Sequence, residues 1–183
     1  GMPGRHNVEN ATAAIAVALQ LGVSPLAIRK ALLTFKGIKR RFEIVYRDEK
    51  VVFIDDYAHH PTEIQSAVQA ARELFPGRSI TGIFQPHLFT RTRDFQEGFA
   101  EELDKLDHVI LLDIYPAREE PIPGITSEVI FEKLENPNKH LVAKGDLLKL
   151  VKNWDFDVLM TIGAGDIDML VEPIQRLLIK GKK

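Results

Sequence analysis

The sequence predicts an α/β fold: a mostly parallel, doubly wound sheet with an antiparallel edge hairpin, preceded by a helical hairpin. Three observations carry this expectation. From Pro61 onward, short apolar runs alternate with amphipathic helical stretches, the pattern of βαβ units. Ahead of them, the β-rich runs FEIVYR (42–47) and VVFID (51–55) are separated only by Asp48-Glu49-Lys50, which reads as an antiparallel hairpin. Residues 7–35 carry instead the Ala- and Leu-rich pattern of two helices.

The elements follow in order. A helix over 7–20 (NVENATAAIAVALQ) starts with an Asn in capping position and ends at Gly22; a second, over 25–35, is capped by Ser24-Pro25. This pair cannot bury both its apolar faces alone, so it packs on the following domain or belongs to one whose remainder lies elsewhere. Gly37 and the basic run Lys39-Arg40-Arg41 mark a linker over 35–41, dividing the chain into 1–37 and 38–183. Beyond it, helices are predicted near 61–75, 93–104, 126–134, 145–153 and 166–179, with strands at 79–84, 108–114, 139–142 and 157–162.

Composition narrows the function classes. At 183 residues the chain holds one domain and a remainder, and 45% hydrophobic with 27% charged residues is the balance of a folded globule. Twenty-four basic against 26 acidic residues give no large basic field, which argues against nucleic acid or an anionic membrane as main partner. The absence of cysteine removes disulfides, thiolate nucleophiles and cysteine-type zinc sites. No apolar run approaches the roughly 18 residues of a membrane span, and a cytoplasmic location is the expectation. Gly1-Met2 followed so soon by a helix with no preceding strand suggests a fragment of a longer enzyme.

In an open parallel sheet, ligands bind outside the carboxyl ends of the strands. Ionisable residues collect in the loops predicted there: 55–60 (DDYAHH), 85–93 (QPHLFTRTR), 115–121 (YPAREEP) and 163–166 (GAGD). Asp55, Asp56, His59 and His60 could act as hard-metal ligands, as an acid/base set or as a substrate clamp; Asp55 and His60 have structural alternatives in a strand end and a helix cap. A zinc site lacks a third ligand at helical spacing from the histidines. Arg91 and Arg93 fall in a first helical turn, where positive charge opposes the macrodipole unless an anion or a carboxylate neighbour is present, which favours an anionic ligand for Arg91; Arg93 can pair with Asp94 or Glu97. GAGDI (163–167) lacks the third glycine of a dinucleotide loop and opens its helix with aspartates, so Asp166 reads as an N-cap. No G-x-x-x-x-G-K-[ST] phosphate loop occurs. Asn7 and Asn10, three apart on one helix face, are capping residues or donor–acceptor pairs suited to an adenine edge.

Taken in order, GRHNVEN (4–10), GIKRRF (37–42), DDYAHHPTE (55–63), Q-P-H-x-x-x-R-T-R-D (85–94), D-I-Y-x-A-x-E-x-P (113–121) and GAGDI (163–167) resemble the C-terminal part of the Mur ligases across nearly the whole chain. The resemblance implies a Rossmann-like C-terminal domain that closes over ATP, preceded by the last helices of a central ATPase domain, with the phosphate loop and a UDP-binding domain lying outside. It implies an ATP- and Mg2+-dependent ligase of peptidoglycan synthesis that joins L-alanine to UDP-N-acetylmuramate through an acyl phosphate. The alternatives are the recycling reaction that attaches a tripeptide to the same sugar, or a non-catalytic module holding an anion or metal.

By motif position, Asn7 and Asn10 resemble adenine-contacting asparagines, Arg41 an arginine reaching the nucleotide phosphates, and Asp56 an aspartate near the ribose. His59 and Arg91 resemble catalytic residues at the amino-acid end of the cleft, with His87 beside them in substrate binding; no metal ligand is implied within the chain. Leu88 stands where some relatives place an arginine. The fragment alone is expected to be inactive, and Asp56 and Arg91 are expected to be exposed loop residues whose loss spares the fold.

Overall fold

The computed structural model describes residues 4–181. Among these, six strands lie in the order β1-β2-β6-β3-β4-β5: β1 (Glu43–Arg47), β2 (Val52–Asp56), β3 (Ile80–Phe84), β4 (His108–Leu111), β5 (Lys139–Leu141) and β6 (Val158–Ile162). Only β1 runs antiparallel to its neighbour; the β2–β6, β6–β3, β3–β4 and β4–β5 pairs are parallel. The hairpin closes because Asp48 Oδ1 accepts the Lys50 and Val51 N–H groups at 2.7 and 2.8 Å, so the side chain supplies the turn's acceptor.

Side-chain alternation along the strands sets up two cores. Val52 and Ile54 point into a cluster with Ile64, Val68, Phe84, Phe99 and Leu103, under α3 (Pro61–Leu74) and α4 (Phe89–Leu103). Phe53, Ile83 and Ile110 face the other way, onto Leu147, Val151, Ile167 and Ile174 of α6 (Leu147–Lys152), α7 (Asp168–Lys180) and the segment before it. Because both faces are covered, β2, β3 and β6 are buried along their whole length except at Asp56, and their residues are mostly apolar rather than alternating, as parallel strands require. The doubly wound sheet with an antiparallel edge hairpin is thus the fold that the sequence predicts.

The helical hairpin also stands where it is predicted, as α1 (Arg5–Gln20) and α2 (Pro25–Thr34), with the Ser24 hydroxyl accepting the Ala27 N–H and Pro25 opening α2. It differs in one respect. α1 begins at Arg5 after Gly4, so Asn7 lies inside the first turn and not at the N-cap position. α2 contributes no buried residue, and Leu26 and Leu33 are each 77% exposed. No helix among the described residues is long and apolar enough to cross a membrane.

Two helices depart from their predicted spans. α4 starts at Phe89 rather than near 93, because Leu88 takes a positive φ of 73° and the chain turns there into helix. α5 is a single turn, Glu128–Phe131, instead of 126–134. Its end is set from outside, by Lys139 Nζ donating to the Phe131 and Leu134 carbonyls at 2.9 and 2.6 Å, while Ser127 gives its hydroxyl to Leu112 O instead of capping.

Candidate active site at the carboxyl edge of the sheet

The sheet order brings the ends of β2, β6, β3 and β4 side by side. Gly163 N–H bonds Asp56 O, Gln85 N–H bonds Ile162 O, and Leu112 N–H bonds Phe84 O, so the four loops leave the sheet in one row. Asp55 and Asp56 close β2 on opposite faces and have opposite environments. Asp55 is 2% exposed, takes the Thr161 hydroxyl at 2.7 Å and meets Arg40 Nε at 3.3 Å; burial raises its pKa against these partners. Its structural reading therefore holds.

Asp56 is half-buried and is not an exposed loop residue. Its Oδ2 accepts the Phe42 N–H at 2.7 Å and its Oδ1 the Ala58 N–H at 2.8 Å. Burial pushes its pKa to about 6, against the pull of those two amides and helped by the Asp55 and Glu63 charges. With both oxygens taken by the backbone, its loss would leave two amides without their acceptor, so the expectation that it is dispensable to the fold needs correction.

A cavity of about 310 Å³ opens beside it, lined by Asn7, Arg41, Asp56, Tyr57, His59 and Thr62 among others. It joins the helical hairpin to the sheet, since Asn7 comes from α1. Asn10, one turn further along α1, is exposed and does not line it. His59 Nδ1 lies 2.9 Å from the Tyr57 carbonyl and 3.3 Å from Glu63 Oε2, two acceptors that require a proton on Nδ1. His60 takes the alternative the sequence offered it: its Nδ1 accepts the Thr62 N–H at the start of α3.

From His59 the site continues across the sheet. Tyr57 meets His59 edge-on (5.3 Å between ring centroids), His59 meets His87 (6.1 Å), and His87 stacks on Tyr115 (5.7 Å). The last contact is built on backbone: His87 and Tyr115 form a parallel bridge, with Tyr115 N–H on Pro86 O and Leu88 N–H on Tyr115 O. Arg91, in the first turn of α4, donates to His87 Nδ1 at 3.3 Å. Burial first, then the Arg91 and His59 charges, hold the His87 imidazole below its usual pKa. Arg93 points away and pairs with Asp94 at 2.7 Å.

The anion that the α4 N-terminus calls for is supplied by the protein. Glu119 accepts the Thr90 N–H at 3.0 Å and the Thr90 hydroxyl at 2.5 Å, and these bonds hold its pKa down. With that position filled, Arg91 is turned toward the imidazole row.

The GAGDI turn corrects another expectation. Asp166 is not the cap of α7; it accepts from Gln85 Nε2 at 2.8 Å and pairs with Lys144. Gln85 Oε1 in turn takes the Ile167 N–H at 2.8 Å. The glycines are needed for proximity: a Cβ on Gly165 would sit 2.5 Å from Gln85 Oε1 and 2.7 Å from Tyr115 Cβ.

Arg40, Gln85, Tyr115 and Glu119 are thus structural parts of this edge that sequence reasoning did not single out. Their signal was weak because each acts through a partner 15 to 123 residues away. No group of three His, Cys, Asp or Glu side chains among the described residues could hold a metal ion.

Comparison with known proteins places this edge in context. Residues 40–167 match the family model described as Mur ligase, glutamate ligase domain. The chain is 53% identical over 178 residues to the UDP-N-acetylmuramate--L-alanine ligase of Flavobacterium johnsoniae, covering 97% of this chain and 40% of that protein. Among solved structures, the UDP-N-acetylmuramate-alanine ligase of Thermotoga maritima superposes with a TM-score of 0.82 at 32% identity, covering 98% of this chain and 39% of that one. A murein peptide ligase from Psychrobacter arcticus gives a TM-score of 0.66 at 28% identity, covering 99% of this chain and 38% of that one. The chain therefore spans about two-fifths of the length of the relatives it matches.

Proposed function

The chain belongs to the Mur ligase family, and from that premise we propose that it forms the closing part of an ATP-dependent ligase joining L-alanine to UDP-N-acetylmuramate. The observation that carries this reading is the cleft in which Asn7 from the helical hairpin faces Arg41, Asp56 and His59 from the sheet domain. Among solved structures the chain superposes better on an L-alanine ligase, with a TM-score of 0.82 at 32% identity, than on a murein peptide ligase, with 0.66 at 28%, which favours alanine over a tripeptide as the incoming group. Residues 1–37 are then the last helices of a neighbouring ATPase domain and 38–183 the closing domain. An apolar groove of about 340 Å³ on the hairpin, lined by Ile15, Leu19, Ile28 and Leu32, supports this division.

In this reading the γ-phosphoryl group of ATP passes to the muramoyl carboxylate, the amine of L-alanine attacks the acyl phosphate carbon, and phosphate leaves with the former carboxylate oxygen. Asn7, which lines the cleft, and Asn10, exposed one turn further along the same helix, sit on the adenine side. Arg41 meets the phosphates and Asp56 the ribose side. At the other end His59 Nε2 takes the proton of the attacking amine, and Arg91 with His87 orients the amino acid and balances developing negative charge.

Magnesium is a different case. Both Asp56 oxygens are engaged by amides and no group of three metal-ligating side chains occurs among the described residues, so those residues do not fit a magnesium site; an ion accompanying ATP would rest on phosphates and on protein outside this chain. Because the sequence holds no G-x-x-x-x-G-K-[ST] phosphate loop and supplies one wall of the cleft, the 183-residue chain alone is expected to be inactive and to hold ATP weakly. The test is phosphate release by the full-length protein. Release should require UDP-N-acetylmuramate and L-alanine together, and release that continues without alanine contradicts the assignment.

A further inference from the structure

The segment that carries Arg41 into the cleft has an unusual backbone. Arg40 and Phe42 both adopt left-handed conformations, with φ of 59° and 49°, on either side of it. Neither is glycine, and bulky residues hold this region only where the surroundings over-determine it. Phe42 is held by burial in the core, 4% exposed, and by its N–H on Asp56 Oδ2 at 2.7 Å.

Arg40 is held at every polar group. Its N–H donates to Glu43 Oε2 at 2.9 Å and its carbonyl accepts the Tyr57 N–H at 2.6 Å. Its guanidinium reaches three separate elements: Nε meets Asp55 Oδ2 at 3.3 Å, one terminal nitrogen donates to Gly163 O at 2.6 Å, and the other lies 3.5 Å from Asp168 Oδ2. The same plane lies over the Tyr57 ring, 4.9 Å from its centre. Arg41, by contrast, is exposed, and its N–H closes a turn onto Ile38 O at 3.2 Å.

We infer that Arg40 is the positioning residue for Arg41: its guanidinium clamps the linker to the ends of β2 and β6 in the left-handed form, and that form aims the Arg41 side chain at the cleft. The inference rests on the reading of that cleft as the nucleotide site. A planar five-donor group is required, because the clamp uses two carboxylates, a carbonyl and a stacking face at once, which a lysine cannot satisfy together. Pairing with Asp55 alone would have needed no such geometry.

The test is a double-mutant cycle on the full-length protein, with Arg40→Gln, Arg41→Ala and the pair. Binding of a non-hydrolysable ATP analogue is read by calorimetry and phosphate release by rate. Arg40→Gln should weaken the analogue about tenfold, close to the loss from Arg41→Ala, while adding it to Arg41→Ala should cost less than about twofold more. Losses that multiply, or an Arg40→Gln protein that binds as tightly as the wild type, overturn the proposal. If Arg41→Ala changes nothing, the nucleotide reading of Arg41 falls and this proposal with it; if Arg41→Ala weakens binding and Arg40→Gln adds independently, only this proposal falls. Should Arg40→Gln not fold, Arg40→Lys enters the same cycle with the same expected non-additivity and the same contrary result.

Discussion

Arg91 donates a guanidinium N–H to His87 Nδ1 across 3.3 Å, one helical turn from a ring that also stacks on Tyr115. The contact needs the Nδ1 lone pair, so the His87 proton resides on Nε2. Burial and the Arg91 charge both disfavour the imidazolium. An NMR titration should place the His87 midpoint below the ordinary 6.5, and Arg91→Ala should move it upward; a midpoint above 6.5 in the wild type contradicts this packing. Because the folded value is the lower one, His87 weakens the fold as pH falls through 6.5.

Asp56 carries the opposite sign. Its folded pKa of about 6 lies above the ordinary 3.8, so the folded state holds this proton more tightly than the unfolded chain. The stabilisation that protonation gives is complete below about 3.8 and lost as pH rises through about 6. Asp56→Asn lacks this dependence. Chemical denaturation of both proteins at pH 7.5 and 4.5 should show wild type gaining on the variant at the lower pH, by on the order of 2 kcal/mol. A difference that does not change with pH would show that the carboxyl titrates normally.

Gly165→Ala should disturb the edge without touching a charged group. The new methyl meets Gln85 Oε1 and Tyr115 Cβ, both within 3 Å, and Gln85 is pinned by Asp166 and Ile167. A cost of about 1–3 kcal/mol is expected from such overpacking, together with a shift of the His87 and Tyr115 resonances. An unchanged melting temperature would mean that Gln85 yields freely.

Glu119→Ala removes the anion at the head of α4 and should cost about 1 kcal/mol, the range of a lost N-cap. Amide exchange at Thr90 would report it directly. If exchange there is unaltered, the Glu119 bond is not what starts α4 at Phe89.

These contacts also explain what the sequence could and could not convey. Hydrophobic periodicity exposes the parallel strands because Val52, Phe53 and Ile54 are buried on both faces, and local chemistry exposes the hairpin because Asp48 makes its own turn. The start of α4 was hidden, since neither Leu88 nor its neighbours resemble a cap and the capping carboxylate is 29 residues downstream. Asp166 reads as a cap from its position before a helix, yet its partners, Gln85 and Lys144, arrive from other loops. Arg40 sits in a run of three basic residues that looks like a solvated linker; only the topology that sets β6 beside β2 gives it a carbonyl to bind.

The most direct measurement uses the full-length protein with ATP and UDP-N-acetylmuramate labelled with 18O in its carboxylate, supplied with equal L-alanine and tripeptide. Mass spectrometry should find the alanyl product and one 18O atom in the released phosphate. Tripeptide product, or phosphate without label, would contradict the account.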